Sequence, residues 1–142
     1  ILPQSKFVTL FLGSLDTKRG VVEYANAGHT PPLLLKATGI EELADTDLLL
    51  GVVTNAIFKN RTLQLDAGDS LILFTDGVTE AENGDWNDFA SSHIAQSLAQ
   101  MHGAPAREIA KTIEDAIIGH VGDTPLADDV TLVVVSRDAL LS

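Results

Sequence analysis

The stretch from Leu63 to Asn83, L-Q-L-D-A-G-D-S-L-I-L-F-T-D-G-V-T-E-A-E-N, constrains the fold more than any other part of the chain. A polar turn, Asp66 to Asp69, feeds an apolar run, Leu71 to Phe74, whose length and bounding turn residues suit a buried strand better than a helix. The run stops at Asp76-Gly77. A carboxylate at the end of a buried strand, followed by a residue whose backbone turns freely, can hold a hard cation at the rim of a core. A second carboxylate pair, Asp128-Asp129, immediately precedes another apolar strand, Leu132 to Val135. If the two strands are neighbours, the acids converge.

The rest of the chain reads as strands, then helices, then that last strand. Phe7 to Leu15 carries apolar residues on both faces and is expected as a central strand, buried on both sides. Asp16 to Gly20 turns it into Val21 to Ala27, forming a hairpin. Gly28-His29-Thr30-Pro31-Pro32 interrupts, because proline cannot donate to a central ladder. Leu33 to Lys36 is a strand, Ala37-Thr38-Gly39 a turn, and Ile40 to Leu43 its return. Asp45 to Thr54 reads as a buried loop. Ala56 to Leu65, with Ile57, Leu63 and Leu65 on one face, enters the Asp66 to Asp69 turn as a second hairpin. Ala90, Ile94, Leu98 and Met101 then share one helical stripe, and Ile109, Ile113, Ala116 and Ile117 share another. Pro105 suits the first turn of the second helix, with Gly119 and Gly122 ending it. This order points to an α+β domain with segregated sheets and helices.

With 142 residues and 45% hydrophobic content, the chain has the size of one domain, residues 1–142. No apolar run approaches the about 18 residues of a membrane span, and the N-terminus lacks a secretory pattern, so a soluble, cytoplasmic protein without membrane contact is expected. The absence of cysteine excludes disulfides, thiolate metal sites and cysteine nucleophiles. A net charge of −11 argues against nucleic acid as a partner. It also repels any phosphorylated substrate unless bound cations reverse the local field.

Three ordered motifs, Y-A-N-A-G-H-T-P-P-L-L-L, L-F-T-D-G-V-T-E-A and D-D-V-T-L-V-V-V, resemble those of the PPM-type (protein phosphatase 2C-like) serine/threonine phosphatases. More narrowly, the chain resembles their bacterial branch in sporulation and stress signalling, from about Phe7 to Val135. The resemblance implies an antiparallel β-sandwich flanked by helices. It also implies a metal-dependent hydrolysis of phosphoserine or phosphothreonine on a protein, without a covalent intermediate. The family carries a further bridging aspartate in a Gly-Asp motif upstream of the matched region. The chain is therefore expected to be N-terminally incomplete and weakly active or inactive by itself.

Asp76 and Asp128 are the expected catalytic residues, as metal ligands. Two cations roughly 3.5–4 Å apart can acidify a bridging water, align it and neutralise phosphoryl charge. Carboxylate ligands without cysteine favour Mn²⁺ or Mg²⁺, with two ions in the complete domain. Asp129 stands beside Asp128 as a supporting residue, and Gly77 leaves room for metal-bound waters. Thr75 and Thr131 are expected to bond nearby backbone. His29 either protonates a leaving group or contacts phosphate, or it holds its turn through backbone carbonyls; the structural role is favoured. His93, His102 and His120 lack metal-ligand spacing and read as helix or helix-end residues, and Trp86 as packing.

Gly68-Asp69-Ser70-Leu71 spells the nucleophile block of the GDSL esterases, but it precedes its strand and no Asp-x-x-His follows, so the match is accidental. The rival that stands is a non-catalytic, phosphatase-like interaction module. The resemblance implies a phosphorylated protein partner, such as an anti-sigma factor antagonist, and an upstream sensory or receiver domain. Exposed strand edges of an incomplete sandwich also make a homodimer an expected partner state.

Overall fold

Alternation along two four- and five-residue strands explains how the layers form. In β3 (Leu33–Lys36) and β6 (Ser70–Phe74), successive side chains point to opposite faces of one sheet. Leu33, Leu35, Ile72 and Phe74 pack against Ile94, Leu98, Ile109, Ile113 and Ile117 of the helical layer. Leu34 and Leu71 face the other way and pack against Val22, Tyr24, Leu63 and Leu65 of a second sheet. One sheet thus separates two cores. The computed structural model describes residues 6–75, 94–121 and 129–139.

The remaining described strands are β1 (Leu10–Asp16), β2 (Val21–Ala27), β4 (Gly39–Glu42), β5 (Arg61–Gln64) and β7 (Leu132–Ser136). They form two antiparallel sheets, ordered β1-β2-β5 and β4-β3-β6-β7. A single helical turn, α1 (Ala95–Leu98), and the longer α2 (Ala106–Val121) cover the second sheet. The α+β sandwich with flanking helices is as the sequence implies. No helix among the described residues is long and apolar enough to cross a membrane.

Both short-range hairpins at the start of the chain are present. β1 and β2 pair from Leu10↔Ala27 to Asp16↔Val21, and the Asp16 carboxylate accepts the Lys18 and Arg19 amides at 3.0 Å to fix the turn. β3 and β4 pair up to Lys36↔Gly39.

Four local expectations need correction. Among the described residues β1 stands at the edge of its three-stranded sheet and not at its centre, and Leu12 is 65% exposed. Apolar residues on both faces bury a strand only where neighbours supply cover, and β2 is its one described sheet partner. The Asp45 to Thr54 loop projects outward, with Leu48, Val52 and Val53 exposed. Its base is tied to the β2 end and to β5, and among the described residues no layer covers the exposed apolar side chains between.

Ile57 is 90% exposed, and the strand after it starts only at Arg61. β5 pairs with β2 while β6 pairs with β3 and β7, so Asp66 to Asp69 carries the chain between sheets instead of closing a hairpin. Finally, Gly119 lies inside α2, which runs to Val121. The buried stripe of Ile109, Ile113 and Ile117 outweighs the modest helix penalty of one exposed glycine. Ala90, Trp86, His93 and Gly122 lie outside the described residues.

Candidate active site

β6 and β7 are antiparallel neighbours, in register from Ser70↔Ser136 to Phe74↔Leu132. The pairing continues past the strands. The Thr75 amide donates to the Thr131 carbonyl at 3.1 Å, and the Thr75 hydroxyl accepts the Thr131 amide at 3.0 Å. That hydroxyl also reaches the Asp129 carbonyl at 3.5 Å. Thr75 therefore bonds nearby backbone, as its position in the sequence suggests.

Asp76, Gly77 and Asp128 lie outside the described residues. Asp129 is described, exposed, and held at the mouth of β7 by Thr75. Among the described residues no group of three or more His, Cys, Asp or Glu side chains is arranged to hold a metal ion.

A cleft of about 500 Å³ opens between the sheets and reaches this end. Leu10, Phe11 and Leu15 of the β1 side face Leu71, Leu73, Val133 and Val135 across it. Its polar lining includes His29, Thr75 and Thr131, and among the described residues no lysine or arginine lines it.

His29 sits on a turn built by Asn26, which is wholly buried. The Asn26 side chain accepts the His29 amide at 2.8 Å and donates to the His29 carbonyl at 3.1 Å. Nδ1 of His29 lies 3.0 Å from the Thr30 carbonyl, which fixes that nitrogen as the donor and the proton on it. Gly28 adopts φ +68°, and a Cβ there would run into the Leu49 side chain, so the turn needs glycine on both counts.

The opposite end of β6 carries a polar cluster that motif reading missed. Asp69 is 2% exposed. Its carboxylate accepts the Asp66 amide at 2.9 Å, meets His102 Nε2 at 3.0 Å and pairs with Lys36 at 3.3 Å. Burial pushes the Asp69 carboxyl up, but the Asp66 amide, the His102 ring and Lys36 together outweigh it and hold the group below its usual range. His102 thus follows α1 as a loop residue that clips the helical layer to the sheet. Only its distance partner reveals this, since Asp69 and His102 are far apart in sequence. Ser70 is fully buried and bonds the Ser136 hydroxyl at 2.7 Å, which leaves the Gly-Asp-Ser-Leu tetrapeptide without an accessible nucleophile.

These two packed antiparallel sheets with a helical layer are the fold of the PP2C phosphatase domains. The phosphatase domain of SpoIIE from Bacillus subtilis, solved after manganese presoaking, superposes with a TM-score of 0.71 at 22% identity, over 92% of this chain and 56% of that one. The chain belongs to the stage II sporulation protein E (SpoIIE) family, whose model matches residues 1–138.

Two relatives show the same kinship in sequence. Protein IcfG of Synechocystis is 35% identical over 133 residues, covering 93% of this chain and 21% of that protein. The phosphoserine phosphatase RsbU of Bacillus subtilis is 33% identical over 138 residues, covering 94% of this chain and 40% of that protein. The chain therefore spans well under half the length of either relative.

Proposed function

We propose that residues 1–142 act as one phosphatase-like unit in a protein that hydrolyses phosphoserine or phosphothreonine on a signalling protein. The observation that carries this reading is the β6–β7 pair, whose ends are bonded to each other through Thr75 and Thr131. Thr75 directly precedes Asp76, and Asp128-Asp129 lies just ahead of Thr131. In this reading, acids from distant parts of the sequence enter from these adjacent strand ends.

In this reading Asp76 and Asp128 hold Mn²⁺ or Mg²⁺, with two ions in the complete domain. Asp129 supports them and Gly77 leaves space beside them. The donor chemistry fits, because carboxylates without thiolates favour hard cations. Among the described residues the cleft lining also contains no lysine or arginine to receive a phosphoryl group. When bound, such cations activate water and neutralise the phosphoryl oxygens. The chain's own residues position: Thr75 ties the two acid-bearing segments together, and the Asn26–His29 turn borders the cleft beside them.

The manganese soak of the SpoIIE domain supports the choice of cation, and the name of RsbU supports a phosphoserine substrate. A phosphorylated anti-sigma factor antagonist, acting with an attached sensory or receiver domain in the cytoplasm, is the matching cellular setting.

Thermal denaturation in Mn²⁺ or Mg²⁺ tests the reading. A ligand at about 100 times its Kd stabilises the folded state by about 2.7 kcal/mol. The native chain should gain stability with added metal, and Asp76→Asn and Asp128→Asn should each lose most of that gain. A chain indifferent to both metals would instead be a non-catalytic interaction module.

A further inference from the structure

Strand β7 reads Leu-Val-Val-Val-Ser, and its neighbour β6 reads Ser-Leu-Ile-Leu-Phe. Register in a sheet is set by the alternation of apolar and polar side chains, because a slip of one residue exchanges the two faces. Here that signal is missing. Leu132 and Val134 pack on the helical side and Val135 on the other, so both faces of β7 are apolar. A slip of one or two residues along β6 puts valine where valine was. Within this strand pair, the observed register from Leu71↔Val135 to Phe74↔Leu132 is therefore specified by the polar residues at its ends.

One end carries the Thr75–Thr131 bonds. At the other, the Ser70 and Ser136 hydroxyls meet at 2.7 Å, the Arg137 amide donates to the Asp69 carbonyl at 2.9 Å, and the Arg137 carbonyl accepts the Gly68 amide at 2.8 Å. Arg137 also ties the strand to a frame outside its own sheet. Its guanidinium donates to the Leu65 carbonyl at 2.7 Å and, across to the β1–β2 hairpin, to the Arg19 and Lys18 carbonyls at 3.1 and 3.3 Å.

Those three acceptors do not move independently. The Gly20 amide donates to the Asp16 carbonyl and the Leu65 amide to the Gly20 carbonyl, both at 2.7 Å, and the Gln64 side chain donates to the Arg19 carbonyl at 2.7 Å. The guanidinium lies against Gly20, where a Cβ would collide with it. Sliding β7 by one residue moves Arg137 by about 3.4 Å, more than any of these bonds tolerates.

We propose that Arg137 is a positioning residue, whose clamp on three carbonyls selects the register of β7 and so decides, from the opposite end of the sheet, which residue stands across from Thr75. A strand slips as a unit, so an error at Arg137 reappears undiminished at Thr131. In the phosphatase reading, on which only this consequence rests, the same error carries the Asp128-Asp129 segment out of level with Asp76. Lysine is no equivalent at this position: it keeps the charge but lacks the planar fork that spans several acceptors.

The test compares cross-strand nuclear Overhauser contacts between β6 and β7 in the full chain, Arg137→Ala and Arg137→Lys. Both variants are also made with Ser70→Cys and Ser136→Cys, whose side chains stand close enough to close a disulfide across the native pair in a chain without other cysteines. The native chain should show one set of contacts, with Leu71 across from Val135. Arg137→Ala should add a second set, with Leu71 across from Val134 or Val133, and Arg137→Lys a weaker one; the disulfide should abolish it in both. The apparent Kd for Mn²⁺, read from melting temperatures, should rise in proportion to the native register lost, about fivefold where one-fifth remains, and return to the native value with the disulfide.

A single native set of contacts in both Arg137 variants overturns the proposal. So does a weakened Mn²⁺ response that the disulfide leaves unrepaired. If Arg137→Ala folds only with the disulfide closed, the clamp is upheld; if it folds in neither form, the contacts in Arg137→Lys decide. A native chain that ignores Mn²⁺ sinks the phosphatase reading alone, because the cross-strand contacts still decide the register.

Discussion

Thr75 and Thr131 bond each other twice across the ends of β6 and β7, through the Thr75 amide at 3.1 Å and the Thr75 hydroxyl at 3.0 Å. One side chain thus replaces a ladder bond at the point where the two acid-bearing segments leave the sheet. Replacing Thr75 by valine keeps the shape and removes the acceptor. Urea denaturation should show a loss of about 1 kcal/mol. Hydrogen exchange at the Thr131 amide should accelerate more than exchange within β6 itself.

Asp69 should make stability depend on acid. Its carboxyl is held below the usual range, so the stabilisation is fully present above the unfolded-state pKa of about 3.9 and is lost as pH falls through the lower folded-state value. Asp69→Asn should cost about 1–3 kcal/mol at pH 7, because buried donors and Lys36 lose an anionic partner. The gap between the native chain and the variant should close as both become neutral in acid. Denaturation midpoints at pH 7 and at pH 3 measure it; a constant gap would contradict the assigned role.

Gly28→Ala tests the turn that places His29. At φ +68° an added Cβ is strained, and it would also displace Leu49 from the loop above. Strain of this kind costs on the order of 1–3 kcal/mol. The melting temperature should fall, and amide chemical shifts should change at Leu49 and Leu50 as well as at His29.

Asp47→Ala should free the apolar loop at its base without unfolding the sheets. The Arg61 guanidinium, followed by the Lys59 amide, holds the Asp47 carboxyl below its usual range, so the clasp is ionised at neutral pH. Amide exchange at Lys59 and across residues 48–58 should quicken in the variant, whereas protection at Leu71 and Ile72 should persist. Acidification through the depressed Asp47 pKa should reproduce the same local loosening in the native chain.

Local rules reached a good part of this molecule. The short turns of β1–β2 and β3–β4 are written in Asp16, Gly20 and Gly39, whose backbone and side-chain chemistry acts over a few residues. The stripe of Ile109, Ile113 and Ile117 names its own helix, and the buried β6 run names its strand. Motif order carried the family as well, because ordered acids beside apolar strands are rare by chance. His102 carried no such signal, since its partner Asp69 is met only across the fold.

The sequence by itself determined which segments are strands or helices where their periodicity is strong, and that acids bracket two apolar runs. Only tertiary structure decided that β1 lies at an edge among the described strands, that β5 and β6 belong to different sheets, and that the loop after Asp47 exposes its apolar side chains. The physical reason is that periodicity fixes which side chains share a face, whereas cover for that face comes from segments far along the chain. An apolar face is the same string of residues whether a neighbour lies over it or water does.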